Sequence, residues 1–256
     1  CYTSGTTGKP KGVMYTHRST YLHTINQAMT DSMNLSALDA VCGIVPMFHA
    51  MGWGVPFTAS MLGCKQVMPH RFMDPERLLQ LMCDEEVTLS AGVPTIWQGV
   101  KTVLENNPGK YDTQLLARLT CGGSAPPVSM MRWYWQEHGI EMIQGWGMTE
   151  TNAIGTAIAG GNYLERPGSS GQPAAVLDIR IVDEEDNERP KGERGEVQIR
   201  GTSMFRGYWN NPEATANSLV DGWFKTGDIG YMDEEDYLFI VDRIKDMVIR
   251  GGENIG

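Results

Sequence analysis

Residues 3–11 read T-S-G-T-T-G-K-P-K, and Gly12 follows. Glycines let backbone N–H groups approach a ligand closely, hydroxyls add donors, and lysines add charge. The chemistry that suits such a stretch is the holding of phosphate oxygens. Tyr2 and Thr3 fit the end of a strand, so Ser4–Gly12 reads as a loop. The spacing is not that of a Walker A loop, which needs G-x-x-x-x-G-K-[ST]. Here Gly5 stands three before Gly8, and Lys9 is followed by Pro10. Taken alone, the same composition also suits a surface loop.

The elements that must carry this loop are read from hydrophobic periodicity. Up to about residue 150, strand-like pieces (Val41–Val45, Lys65–Met68, Val87–Ser90, Leu116–Cys121, Glu141–Gln144) alternate with helix-like ones (Pro56–Leu62, Asp74–Cys83, Thr95–Leu104, Val128–Glu137). In the second helix Asp74 is placed as N-cap and Pro75 at the first helical position. Alternation of this kind predicts an α/β fold with a mostly parallel, doubly wound sheet and helices on both faces. From residue 166 the rhythm changes to β segments at Leu177–Val182, Glu196–Arg200 and Tyr237–Val241, with a helix over Pro212–Leu219. That predicts a smaller, mostly β subdomain resembling a distorted barrel. The acidic runs at 183–188 and 233–236 read as solvated turns between strands.

The 256 residues are 41% hydrophobic, enough for a large core and against a disordered chain. A net charge of −10 argues against a nucleic-acid partner but allows a locally basic nucleotide pocket. Five scattered cysteines without a C-x-x-C fit a reduced, cytoplasmic chain better than a disulfide framework or zinc site. No apolar run is long enough to span a bilayer.

Written out, Y-T-S-G-T-T-G-K-P-K-G resembles the signature phosphate loop of the adenylate-forming superfamily, which holds acyl-CoA synthetases, luciferases and peptide-synthetase adenylation domains. Further segments fall in that family's order: PMFH (Pro46–His49), GGSAP (Gly122–Pro126), GWGMTE (Gly145–Glu150), FKTGD (Phe224–Asp228) and DRIKDMVIRGGEN (Asp242–Asn254). The resemblance covers essentially the whole chain. It implies division into a nucleotide- and acyl-binding part (1–165), a β-rich part (166–241) and a hinge (242–256). In the family the phosphate loop lies well inside the protein and a lysine-bearing domain follows the hinge, so the chain is expected to be an internal fragment.

The resemblance also implies roles. Thr3, Ser4, Gly5, Thr6, Thr7, Gly8 and Lys9 would hold the β- and γ-phosphates of ATP, with Lys11 expected as a solvated lysine. Glu150, with Thr3, would hold Mg²⁺, because a carboxylate beside phosphates calls for a cation between them. Thr149 would lie near the α-phosphate. Gly123, Ser124, Ala125, Gln144, Gly145, Trp146, Gly147 and Met148 would form the adenine site, with the Trp146 ring on the base. Asp228 would accept from both ribose hydroxyls, Arg243 would reach the same region, and Lys245 would be the hinge pivot. Each has a plainer reading: a capping Glu150, a core Trp146, a turn-capping Asp228, and a charged hairpin end at Arg243 and Lys245.

His49, Trp53 and Gly122 are expected to line the acid pocket. P-M-F-H-A-M-G-W is similar to medium- and long-chain fatty acyl-CoA synthetases, where a tryptophan after the histidine gates the acyl tunnel. The implied substrates are a medium- or long-chain carboxylic acid, ATP and coenzyme A; a homodimer and peripheral membrane contact are compatible with it. Ile249-Arg250 and the short stretch Ala153–Gly171 depart from the closest pattern, which puts one lysine contact and the chain length in question. The rival readings are another adenylate-forming enzyme, or a nucleotide-binding chain that does not complete the chemistry.

Overall fold

The computed structural model describes residues 1–3, 9–71, 73–159 and 163–243, and the backbone of 248–250 and 253–255. Ser4, Gly5, Thr6, Thr7, Gly8 and Lys245 lie outside the described residues.

The chain opens with an antiparallel pair, β1 (Tyr2–Thr3) and β2 (Lys11–Met14), in which Thr3 is paired with Lys11. Helix α1 (His17–Ala28) follows. Its N-cap Thr16 accepts from Ser19 N at 2.9 Å, and Ser19 returns the contact to the Thr16 backbone. A seven-stranded sheet then assembles in the order β4 (Lys65–Val67), β3 (Ala40–Gly43), β5 (Leu89–Gly92), β6 (Arg118–Cys121), β7 (Glu141–Trp146), β8 (Thr156–Ile158), β9 (Gln172–Pro173). The pairs from β4 to β7 are parallel, and β8 and β9 close the edge antiparallel. The expected α/β sheet is thus present. Its inner strands β3, β5 and β6 are short, mostly buried runs because both faces are covered.

The covering helices are α3 (Val55–Leu62), α4 (Pro75–Asp84), α5 (Pro94–Asn106) and α6 (Val128–His138). Asp74 caps α4 as expected, accepting from Arg77 N at 3.1 Å, and the helix buries Leu78, Leu79 and Met82. Trp97 of α5 is wholly buried and donates its indole N–H to the Thr120 carbonyl at 3.2 Å, tying that helix to β6. Between α1 and α3 the chain makes one further turn, α2 (Ala50–Trp53), wound left-handed.

The second part is a curled antiparallel sheet of β10 (Leu177–Val182), β11 (Gly195–Gly201), β14 (Trp223–Met232) and β15 (Leu238–Arg243), with β13 (Leu219–Val220) on β14. Helix α7 (Pro212–Ser218) precedes β13, and β12 (Gly207–Tyr208) returns to pair with β2. Both acidic runs fall in turns, between β10 and β11 and between β14 and β15. Among the described residues no helix is long and apolar enough to cross a membrane.

Candidate active site

The parallel strands β5, β6 and β7 end side by side, and in open α/β sheets ligands bind outside those carboxyl ends. After β7 the chain reverses through one 3-10 turn (Thr149–Thr151) into β8. Glu150 lies on that turn and is buried. Tyr208 of β12 donates its O–H to Glu150 Oε1 at 2.7 Å, and Tyr15 donates to the Thr149 carbonyl at 2.6 Å. Burial, then the charge of Glu150, push both phenols well above the usual tyrosine range, so each remains an O–H donor. Because β12 pairs with β2, the Glu150 turn is fastened to the strand leaving the phosphate-loop segment. The ammonium of Lys11 sits 4.2 Å from the centre of the Tyr208 ring. Lys11 is therefore held against the ring that holds Glu150, and the solvated reading is corrected. Lys9 is exposed.

A second group forms around Asp228. The sequence places it in a turn-like T-G-D, yet it sits within the ten-residue strand β14, 2% exposed. Its Oδ2 accepts the Trp146 indole N–H at 2.8 Å, and its Oδ1 is paired with the Arg243 guanidinium, its cross-strand neighbour on β15. Two of the carboxylate's roughly four lone-pair sites are used, which leaves acceptor capacity. Gln144, fully within β7, has a buried amide oxygen with no hydrogen-bond partner. A buried acceptor with no partner can take a ligand N–H.

Gly145 and Gly147 have a different reason from the close ligand approach that their flanking of Trp146 suggests. A Cβ on Gly147 would lie 2.0 Å from the Ala153 carbonyl oxygen, and one on Gly145 would lie 3.0 Å from that of Thr156. Both let the β7–β8 connection fold back on itself. Met148 donates its N–H to Thr151 Oγ1 at 2.9 Å and so shapes the turn. Gly123, Ser124 and Ala125 form an exposed loop directly after β6.

The third group is the turn before α3. Ala50, Met51, Gly52, Trp53 and Gly54 all have positive φ, from 38° to 74°. For a residue with a side chain this costs about 1–2 kcal/mol each, so the surroundings must hold it. Gln27 of α1 donates to the Trp53 carbonyl at 2.8 Å, and Thr58 of α3 donates to Gln27 Oε1 at 2.6 Å. The Trp53 ring lies over Gly122, where an added Cβ would be 3.0 Å from it. His49 caps the turn from its backbone, half-buried, without a side-chain cap bond. A methyl at Gly54 would fall 2.1 Å from His23 Nε2 at a φ of +74°. Gly54→Ala is therefore expected to destabilise the protein by about 2–4 kcal/mol, from overpacking plus backbone strain. Chemical denaturation of the full-length protein checks this.

The model of the AMP-binding enzyme family matches residues 1–209. The chain belongs to the AMP-binding enzyme family. Within it, a medium-chain-fatty-acid–CoA ligase of Ectopseudomonas oleovorans is 40% identical over 99% of this chain and 48% of its own length. A long-chain-fatty-acid–CoA ligase of Thermus thermophilus is also 40% identical, over 98% of this chain and 48% of its own length. The solved structure of O-succinylbenzoate coenzyme A synthetase from Bacillus subtilis, in complex with ATP and magnesium ion, superposes with a TM-score of 0.84 at 31% identity. It is matched by 99% of this chain over 51% of its length. The chain spans about half the length of the curated relatives it matches.

This AMP-binding enzyme has a donor set that fits a magnesium ion carried in with phosphates. Glu150 offers a hard oxygen from a turn fixed by two tyrosines. Among the described residues no three His, Cys, Asp or Glu side chains converge into a metal cage. Mg²⁺ usually takes one or two carboxylates and completes its shell with phosphate oxygens and waters. Tyr15, Tyr208 and the polar residues of α1 were not singled out by the sequence. The two tyrosines act through hydrogen bonds across 134 and 58 residues and Gln27 of α1 through one across 26, and no local pattern carries such contacts.

Proposed function

We propose that the chain carries the adenylating machinery of an ATP-dependent acyl-CoA synthetase acting on a medium- or long-chain fatty acid or a related carboxylic acid. The observation that supports it is the alignment of three groups at neighbouring strand ends. Gly122 follows β6 under Trp53, Trp146 ends β7 on Asp228, and Glu150 stands on the turn just beyond. An acid pocket, a ribose reader and a metal carboxylate in that order are what carboxylate activation requires.

In this reading an oxygen of the acid attacks the α-phosphorus of ATP, the bond to the bridging oxygen breaks, and pyrophosphate leaves. The thiol of coenzyme A then attacks the acyl carbon, and AMP leaves with the acid's oxygen. Asp228 accepts from the ribose hydroxyls, steadied by Arg243 and the Trp146 N–H. Gln144 Oε1, buried without a partner, is the acceptor assigned to the base. Thr3, the Ser4–Gly8 segment and Lys9 hold the phosphates that depart, Thr149 lies beside the α-phosphate, and Lys245 is the pivot. Mg²⁺, held by Glu150 and Thr3, would draw charge from the phosphate oxygens. Positioning and charge stabilisation supply most of the acceleration.

The covered Gly122 is the reason to place the acid beneath Trp53. Gly122→Ala is expected to raise the KM for the acid several-fold and leave the KM for ATP unchanged; steady-state kinetics check both. The function is tested by ATP–pyrophosphate exchange in the full-length protein with acids from acetate to palmitate, benzoate and amino acids. Exchange that rises with hexanoate and longer acids supports it. Exchange with amino acids alone, or with none, contradicts it.

A further inference from the structure

Glu150 is gripped twice by one short segment. The Phe205 N–H donates to its backbone carbonyl at 2.9 Å, and the Tyr208 O–H donates to Oε1 of its side chain at 2.7 Å. Among the described residues that phenol is the one hydrogen-bond partner of the carboxylate, and it takes one oxygen of the two. A phenol is protonated at neutral pH, so here it donates.

Tyr208 is itself held on every side. It is 3% exposed. Its N–H donates to Thr215 Oγ1 at 2.9 Å, and β12 pairs it with Val13 of β2. Its ring packs on that of Phe205, with centroids 5.1 Å apart, and the Lys11 ammonium lies over its face. Lys11 is paired with Thr3 across β1 and β2, so the ring is anchored to the two strands that flank the phosphate-loop segment. The phenol therefore meets Glu150 from a fixed direction.

The two common divalent cations use carboxylates differently. Ca²⁺ takes about six to eight oxygens in a flexible shell and accepts a carboxylate by both of its oxygens. Mg²⁺ demands a near-ideal octahedron at about 2.0–2.1 Å and combines one or two carboxylates with phosphate oxygens and waters. The charge-assisted bond from Tyr208 draws charge from Oε1 and fixes its direction, which leaves Oε2 the better donor to a cation.

We propose that Tyr208 is a positioning residue that limits Glu150 to binding a cation through one oxygen, and that this makes the site prefer Mg²⁺ to Ca²⁺. Tyr208 acts through Glu150, and the inference rests on the metal role Glu150 has in the acyl-CoA synthetase reading.

The test is calorimetric titration of the full-length protein with a non-hydrolysable ATP analogue, in excess Mg²⁺ and separately in excess Ca²⁺, so that the readout needs no turnover. Tyr208→Phe keeps the ring under Lys11 and removes the O–H alone. The parent is expected to bind the analogue about tenfold more tightly with Mg²⁺ than with Ca²⁺, and Tyr208→Phe to lose that preference, chiefly through tighter binding with Ca²⁺. A merely structural role weakens binding with both ions alike and leaves the ratio where it was. That result overturns the proposal, as does a parent that binds no better with Mg²⁺. If Tyr208→Phe does not fold, the parent decides through the infrared carboxylate bands of Glu150, identified by their loss in Glu150→Gln. A wide separation of the two bands with Mg²⁺ and the analogue bound marks binding through one oxygen and supports the proposal, and a narrow one marks binding through both and overturns it. A protein that activates no acid but shows the shifted ion ratio loses the synthetase reading and keeps the role of Tyr208.

Discussion

Replacing Glu150 by glutamine is expected to reduce ATP–pyrophosphate exchange by roughly 10³-fold, because a cation between phosphates supplies several kcal/mol and tenfold in rate corresponds to about 1.4 kcal/mol. The amide keeps an oxygen for the Tyr208 O–H, now bonded at 2.7 Å to Oε1, so the turn and the fold should survive. Glu150→Gln is thus a cleaner probe than Glu150→Ala, which also strips Tyr208 of its acceptor. The check is exchange rate at saturating acid and ATP, beside the melting temperature. A folded Glu150→Gln protein with near-normal exchange would remove Glu150 from the metal role.

The second large effect is expected at Asp228. Asp228→Ala leaves the Arg243 guanidinium and the Trp146 N–H without the acceptor they share. Breaking one side of a buried ion pair costs about 3–5 kcal/mol. The partly exposed Arg243 can recover some hydration, so about 3 kcal/mol is expected. That corresponds to roughly 6–12 °C in melting temperature for a domain of this size. ATP affinity should fall by about 10–100-fold as well, the worth of one or two hydrogen bonds to a charged group. Calorimetry for unfolding and titration with a non-hydrolysable ATP analogue separate the two effects. An Asp228→Ala protein that melts lower but binds ATP normally would make Asp228 a structural residue of β14 and β15.

The parts of this protein that were legible in its sequence share a physical cause. Helix α4 shows itself through Asp74, Pro75 and the apolar positions Leu78, Leu79 and Met82, because capping chemistry and core contact are both local. The inner parallel strands β3, β5 and β6 show themselves as short, mostly apolar runs because both of their faces are covered. Helix α1 has the local cap, Thr16 with Ser19, but not the apolar positions. Its buried side is made of Ser19, His23, Thr24, Asn26 and Gln27, so no apolar stripe marks it. Strand β14 is obscured by the Thr-Gly-Asp within it, residues that favour turns, although tertiary pairing with β11 and β15 overrides that preference. In the left-handed turn at 50–54 the glycines suit positive φ, but nothing local calls for it at Ala50, Met51 and Trp53, and the Trp53 carbonyl is held by Gln27 from another helix.

The candidate site divides in the same way. Asp228, Arg243, Trp53 and Gly122 were named from the chain, and the structure brings them together in pairs. What holds them was not legible. The Trp146 indole N–H is fixed on Asp228, an edge contact that the expected stacking of its face on a base did not foretell. Sequence motifs mark the groups that meet a ligand. The contacts that orient those groups come from distant residues chosen by the fold.

In the proposed reaction the acid's own oxygen displaces pyrophosphate and later departs on AMP. It is tested most directly by giving the full-length protein octanoate labelled with ¹⁸O in both carboxylate positions, with ATP, Mg²⁺ and coenzyme A, and weighing the products by mass spectrometry. One ¹⁸O in AMP, with octanoyl-CoA formed in equal amount, is the predicted result. AMP without label, or label in inorganic phosphate beside ADP, would contradict it.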